Sequence, residues 1–168
     1  SDNKKGLYSI YGNLSLVYKN SKMIEKAIEY NEKKILIEQE LNIIPSLSTL
    51  YNRAGLYFKG KHYLKAKKII EPIYKEICLK VFGNEKPRVD IIKKTYSDPD
   101  GNLSKLTMFA RRLGRIKMAL KEEGSSKLLD LAYWAAVISK NIELKKRGDM
   151  ISSFKDKFKL EKKRLESQ

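Results

Sequence analysis

Two stretches decide the fold: Asn13–Lys34, NLSLVYKNSKMIEKAIEYNEKK, and Leu50–Ile73, LYNRAGLYFKGKHYLKAKKIIEPI. They are two copies of one unit. Tyr11, Leu14, Ser15 and Tyr18 precede Tyr51, Ala54, Gly55 and Phe58 by 40 positions, and Ile24 and Ala27 precede Tyr63 and Ala66 by 39. Each copy sets small residues (Ser15 and Ala27; Gly55 and Ala66) where two helices must cross closely, with an aromatic one turn further on. A single hairpin of this kind cannot bury its apolar face alone, so a fixed period of such units marks a stacked helical-hairpin array.

Working outward, apolar residues spaced by three and four predict helices over 7–20, 23–41, 47–59 and 62–82. Pro45 ends the second and Gly83 the fourth. Pro72, inside the fourth, is expected to kink it or expose a carbonyl. Tyr18 and Phe58 should be largely buried near Ala27 and Ala66. Residues 87–102 read as a linker, with a short helix near 88–95 opened by Pro87 and a turn at Ser97–Asn102. The run Asp98-Pro99-Asp100-Gly101 lacks the twelve-residue ligand pattern and closing Glu of a calcium loop and reads as a turn.

Three helices are expected beyond the linker. Asn102 is placed as the cap of one running to about Glu123, Ser126 as the cap of one ending at Gly148, and Asp149 as the cap of the last. In the middle one, Leu128, Leu131, Ala135, Ile138 and Ile142 line one side, while Leu129, Tyr133, Val137 and Leu144 line the other, which predicts a helix sandwiched between neighbours. In the last, Ile151, Phe154, Phe158 and Leu165 form one stripe, so it is expected to dock on Leu129, Tyr133 and Val137 as an end cap. Residues 103–147 then form a degenerate third hairpin carried by Leu113, Ile116, Leu120, Gly124 and Ala136. Lys117 and Leu129 stand where small residues belong, which loosens its crossing. The expected fold is all-α, a right-handed stack of helical-hairpin repeats with a C-terminal capping helix. Its parts are two hairpins over 1–86, the linker over 87–102, and the third hairpin plus cap over 103–168.

The two quoted stretches resemble tetratricopeptide repeats. Tyr11, Leu14, Ser15, Tyr18, Ile24 and Ala27, and again Tyr51, Ala54, Gly55, Phe58, Tyr63 and Ala66, occupy that family's aromatic, leucine, small, tyrosine, aromatic and alanine positions. The long spacing, with Pro45 before the second unit and FGNEKP (Phe82–Pro87) after it, is similar to the extended repeats of kinesin light chains. The resemblance covers about residues 7–90. Asn31 and Lys34 depart from it, standing where an apolar and a small residue are usual, and the second unit is one residue short between Gly55 and Ala66. The resemblance implies a solenoid (TPR-like) that grips a peptide or partner protein in the groove lined by the first helix of each pair. It places Asn13, Lys19, Asn52, Arg53 and Lys59 in that groove. Asn offers both a donor and an acceptor to a peptide backbone, and the cations favour an acidic or carboxylate ligand.

Composition bounds the alternatives. The chain has 168 residues, 42% hydrophobic and 33% charged, enough to bury a core without staples. Its net charge of +16 raises the prior for nucleic acid or acidic protein partners, yet 29 of the 36 cations are Lys and only 7 are Arg. With one Cys and one His, disulfide frameworks and multi-His zinc sites are out of reach. No signal-like run opens the chain at Ser1, and no apolar run is long enough to span a bilayer, so an intracellular (cytoplasmic) protein is expected. Membrane partners are disfavoured; oligomerisation through the short groove is compatible with this reading.

No enzyme constellation is present in the sequence. His62 falls in a repeat turn, Cys78 lies among Ile77 and Leu79 as an inert thiol, and Glu38 with Glu40, like Glu122 with Glu123, reads as a solvated helix face. No catalytic residue, cofactor or metal is expected. The second basic feature is a ridge of Lys105, Arg111, Arg112 and Arg115, on the side away from Leu113 and suited to phosphates or an acidic partner. It supports an alternative, a nucleic-acid-binding regulator. The segment 113–148 resembles the helix-turn-helix of phage-repressor-type regulators at Leu131, Ala132, Val137, Ile142 and Gly148, although Ala136 replaces the turn glycine and Lys145 an inward apolar residue. That reading requires a break near Ala136.

Overall fold

The computed structural model describes residues 2–167, except for the side chains of residues 154, 158, 161, 164 and 165. Among the described residues there are seven helices and no strand: α1 Asp2–Asn20, α2 Ile24–Glu40, α3 Leu47–Lys59, α4 Tyr63–Phe82, α5 Val89–Lys93, α6 Asn102–Ala119 and α7 Ser125–Glu166. Helices α1/α2, α3/α4 and α6/α7 pair as hairpins, α6 also packs along α4, α2 meets α3, and the short α5 lies on α7.

The three hairpins turn in the same way. Lys22, Lys61 and Lys121 adopt left-handed φ values of 60°, 63° and 56°. The next amide donates back to a carbonyl five residues earlier: Met23 N to Tyr18 O at 2.9 Å, His62 N to Tyr57 O at 2.8 Å and Glu122 N to Lys117 O at 2.9 Å. This is the Schellman closure, which satisfies carbonyls that a helix end leaves unpaired. The first two lysines lie 39 residues apart and the second and third 60. Most of the difference is the stretch 83–101 with α5 inside it.

The small residues of the repeat sit at crossings. Ser15 Oγ donates to the Ala27 carbonyl at 2.8 Å, drawing α1 onto α2, and Ala27, Ala54 and Ala66 are completely enclosed. Tyr18 and Phe58 are half-buried rather than fully so. Tyr18 stacks on Tyr30 at 5.4 Å and Phe58 sets its edge to Tyr63 at 5.3 Å. The best-enclosed large side chains are Ile70 of α4, Ile92 of α5 and Leu106, Phe109, Leu113 and Ile116 of α6. The apolar core is therefore densest where the second and third hairpins meet.

Several expectations are corrected. The capping helix does not exist as a separate element: α7 runs unbroken through Gly148 and Asp149 to Glu166. Gly148 is not among the positive-φ glycines. A lone glycine inside a helix costs only about 1 kcal/mol, too little by itself to force a turn, and Lys145, Lys146 and Arg147 before it favour helix. The pair Arg147–Glu143 at 2.6 Å spans the approach to it. Tyr133 is 62% exposed and Leu144 52%, while Leu129 and Val137 are half-buried, so the second apolar side of α7 is covered only in part. Phe154, Phe158 and Leu165 of the predicted stripe lie outside the described side chains. The same continuity removes the helix-turn-helix, because the chain does not break at Ala136.

At the start of α6, Asn102 is the first helical residue behind a left-handed Gly101, and its first amides are satisfied by Asp98, whose carboxylate accepts from Asn102 N at 2.8 Å and Leu103 N at 3.0 Å. Helix α6 stops at Ala119, short of Glu123, and α7 begins at Ser125 behind a left-handed Gly124. Among the described residues no helix is long and apolar enough to cross a membrane.

Candidate functional site

Helices α1 and α3 run beside one another, and between them opens a cleft of ≈ 250 Å³ floored by α2. Three of the five expected groove residues line it: Lys19 from α1, and Asn52 and Arg53 from α3. Asn13 and Lys59 are exposed on the same helices but do not line the cleft. Asn31 and Lys34 of α2 complete the polar lining. These are the two positions at which the sequence departs from the tetratricopeptide pattern.

Arg53 is not a free groove cation. Its Nη2 lies 2.6 Å from Glu38 Oε2, with both side chains more than nine-tenths enclosed. Glu38 is thus a buried ion-pair partner and not the solvated surface residue expected from its neighbour Glu40. The pair ties α2 to α3, across the joint between the first and second hairpins. Two donors in the cleft wall stay unsatisfied: Asn31 Nδ2 and Arg53 Nε are both buried without a hydrogen-bond partner. A buried donor left unpaired costs about 1–3 kcal/mol. Lys34 Nζ sits 4.7 Å over the Tyr8 ring, and the Lys34 chain packs over Gly12. The cleft therefore offers cations and spare N–H groups, with its one nearby carboxylate already engaged.

Below the cleft the first joint is polar. Tyr57 Oη donates to Glu32 Oε1 at 3.2 Å, and Lys65 Nζ donates to the same oxygen at 2.7 Å. Lys65 holds the Glu32 carboxyl below its ordinary range. Burial, reinforced by the Glu32 charge, pushes the Tyr57 phenol up to about 12. His62 Nε2 lies 3.1 Å from Glu25 Oε1. Cys78 is half-buried beside Tyr74, and burial pushes its thiol up, away from the thiolate that a nucleophile needs.

The predicted basic ridge is divided. Arg112 is half-buried, its guanidinium 4.3 Å from the Tyr51 ring centroid. A Cβ added at Gly55 would meet Arg112 Nη1 at 2.6 Å, so the small residue of the second repeat admits this arginine from α6. Arg115 stands 5.8 Å from the Phe58 ring centroid. Both arginines therefore help join α6 to α3. Arg111 is exposed, and Lys105 lies apart, beside Lys80, Asp100 and Asn102. The four do not form one continuous surface.

No family model matches the chain, and no curated protein and no solved structure matches it.

Proposed function

We propose that this chain is a non-enzymatic protein-interaction module of the tetratricopeptide type, in which the α1/α3 cleft holds an extended acidic segment of a partner protein. One observation carries the reading. The cleft is built from the first helices of two successive hairpins, and its walls hold two buried donors without partners beside Lys19, Lys34 and Asn52. Acceptors satisfy such a surface, and an acidic peptide supplies them from its carboxylates and its backbone carbonyls. An acceptor that draws the Asn31 amide out of its shelter removes a standing energetic deficit, which favours binding over an empty cleft.

The test is a fluorescence-anisotropy titration with a labelled decapeptide of alternating Ala, Asp and Glu, set against its Lys-containing counterpart. The acidic peptide should bind tighter. The double variant Asn31→Ala/Asn52→Ala should lose about tenfold, near 1.4 kcal/mol, without a fall in melting temperature. Equal binding of both peptides, or indifference to the double variant, would refute the cleft. Arg53 is unsuitable for this test because its replacement leaves Glu38 buried and unpaired. On this reading, affinity for duplex DNA is weak, independent of sequence and steeply lost with salt.

A further inference from the structure

Helix α7 is 42 residues long, yet only its first half belongs to the body of the protein. The partly buried residues packed on the core end at Ile142, and every described side chain from Leu144 to Ser167 is exposed. Residues 144–166 thus extend the helix by roughly 35 Å at 1.5 Å per residue, with none of its described side chains covered by another element. Such a segment needs a reason to carry apolar residues in order, and the sequence has them in order. Val137, Leu144, Ile151, Phe158 and Leu165 recur at intervals of seven, with Phe154 three residues after Ile151. On a helical wheel Leu144, Ile151, Phe154, Phe158 and Leu165 span roughly 80°, the narrow seam of a coiled coil rather than the broad face of a helix lying on lipid.

Charge selects the occupant of that seam. With Leu144, Ile151, Phe158 and Leu165 as the a positions, the flanking e and g positions of the last two heptads are Lys155, Lys157, Lys162 and Arg164, all basic. The first three are exposed. The e and g charges set partner choice in coiled coils, and like charges across the seam repel. A second copy of this helix would bring cations against cations in either orientation. We propose that residues 144–166 of α7 form a docking helix for an amphipathic helix of another protein whose flanking positions are acidic. The d positions Arg147, Phe154 and Glu161 make the seam only partly apolar. Polar residues there cost stability and set register, so the pairing is selective and reversible.

The experiment titrates the full chain with a helical peptide of roughly four heptads, Leu at a and d and Glu at e and g, against a peptide identical but for Lys at e and g. The Glu peptide should bind at least about tenfold tighter, and its affinity should fall with added salt. The triple variant Lys155→Glu/Lys157→Glu/Lys162→Glu should reverse the preference, and Ile151→Asp should weaken binding of the Glu peptide. The reversal is informative even if either variant alters helicity, because an unfolded helix would bind neither peptide. Equal affinity for the two peptides, or binding untouched by Ile151→Asp, overturns the proposal. So does sedimentation of the free chain as a dimer at micromolar concentration, or a preference for phosphatidylserine vesicles over the Glu peptide.

Discussion

Glu38 and Arg53 show how much one residue pair can weigh. Enclosed in the joint between α2 and α3, each charge is tolerable only because the other is 2.6 Å away. Removing one partner strands the other, at a cost of about 3–5 kcal/mol, whereas replacing both with apolar residues of similar volume is near neutral. Glu38→Gln and Arg53→Met should therefore each lower the urea midpoint sharply, and Glu38→Met/Arg53→Met should recover most of the loss. If the double variant falls as far as the sum of the singles, the ion pair is not the joint. The hairpin-turn lysines point in the opposite direction. Lys61 holds a φ of 63°, a conformation that disfavours a residue with a Cβ by about 1–2 kcal/mol. Glycine adopts it freely but makes the unfolded chain more disordered, so Lys61→Gly should gain a net ~0.5 kcal/mol, read as a small rise in melting temperature.

At the scale of the element, α7 combines two different structures in one helix. Its first half buries Leu128, Leu131, Ala132 and Ala135 against the core. Its second half is an extension that those contacts nucleate, since a lone segment of that length is only marginally helical in water. None of the described side chains of the extension is buried against the body. Truncation after Arg147 should leave the melting temperature essentially unchanged while the helical circular-dichroism signal falls in proportion to the residues removed. A drop of several degrees, or aggregation, would mean that residues 148–166 do cover the core as a cap. Helix α6 is the contrasting case, as Phe109 is only 2% exposed and touches Tyr51 edge-on at 5.5 Å. Phe109→Ala should cost about 3–5 kcal/mol.

At the scale of the whole molecule, the two joints of the stack differ in kind. The joint between the second and third hairpins is mainly apolar, with Ile70, Leu106 and Phe109 among its best-enclosed members, and is bordered by Arg112, Arg115 and the Lys67–Glu122 ion pair at 2.8 Å. The joint between the first and second adds a chain of polar contacts: Arg53–Glu38, Tyr57–Glu32, Lys65–Glu32 and His62–Glu25. Glu32 titrates below its ordinary value in the folded state, so its contribution is complete above the ordinary carboxylate range and disappears as pH falls through the lowered value. Tyr57 is displaced upward, so its contribution is complete below pH 10 and disappears as pH rises towards about 12. Both limits act on the first joint. Hydrogen exchange should show α1 and α2 losing protection before α4 and α6 at acid pH, and Tyr57→Phe should flatten the alkaline limb of the stability curve. Simultaneous loss of protection in all helices would show one cooperative unit instead.

The sequence by itself determined the helices and hairpin pairing of the first two hairpins and the enclosure of Ala27, Ala54, Ala66 and Ile70, but not of Leu7, Ile10 or Val17, which are exposed. What it determined depends on local information: the three-and-four spacing of apolar residues, the small residues at Ser15, Ala27, Gly55 and Ala66, and the stop signals at Pro45 and Gly83. It also carried the stripe on the last helix and two of the polar residues of the cleft, Asn31 and Lys34, visible as departures from a pattern. Only the tertiary structure decided which surfaces meet. Glu38 looks identical in sequence to an exposed acid beside Glu40, and becomes a buried partner because α3 brings Arg53 across to it. Arg111, Arg112 and Arg115 read as one ridge until Gly55 admits Arg112 and Phe58 takes Arg115 from the far side. Gly148 and Asp149 spell a helix break followed by a cap. Whether a glycine breaks a helix depends on whether a fold-back would bury more than the turn costs, and here the described side chains beyond it stay exposed. A sequence states the preferences of each residue; burial, charge pairing and docking are settled between residues far apart in the chain, and those come into existence only when the chain is folded.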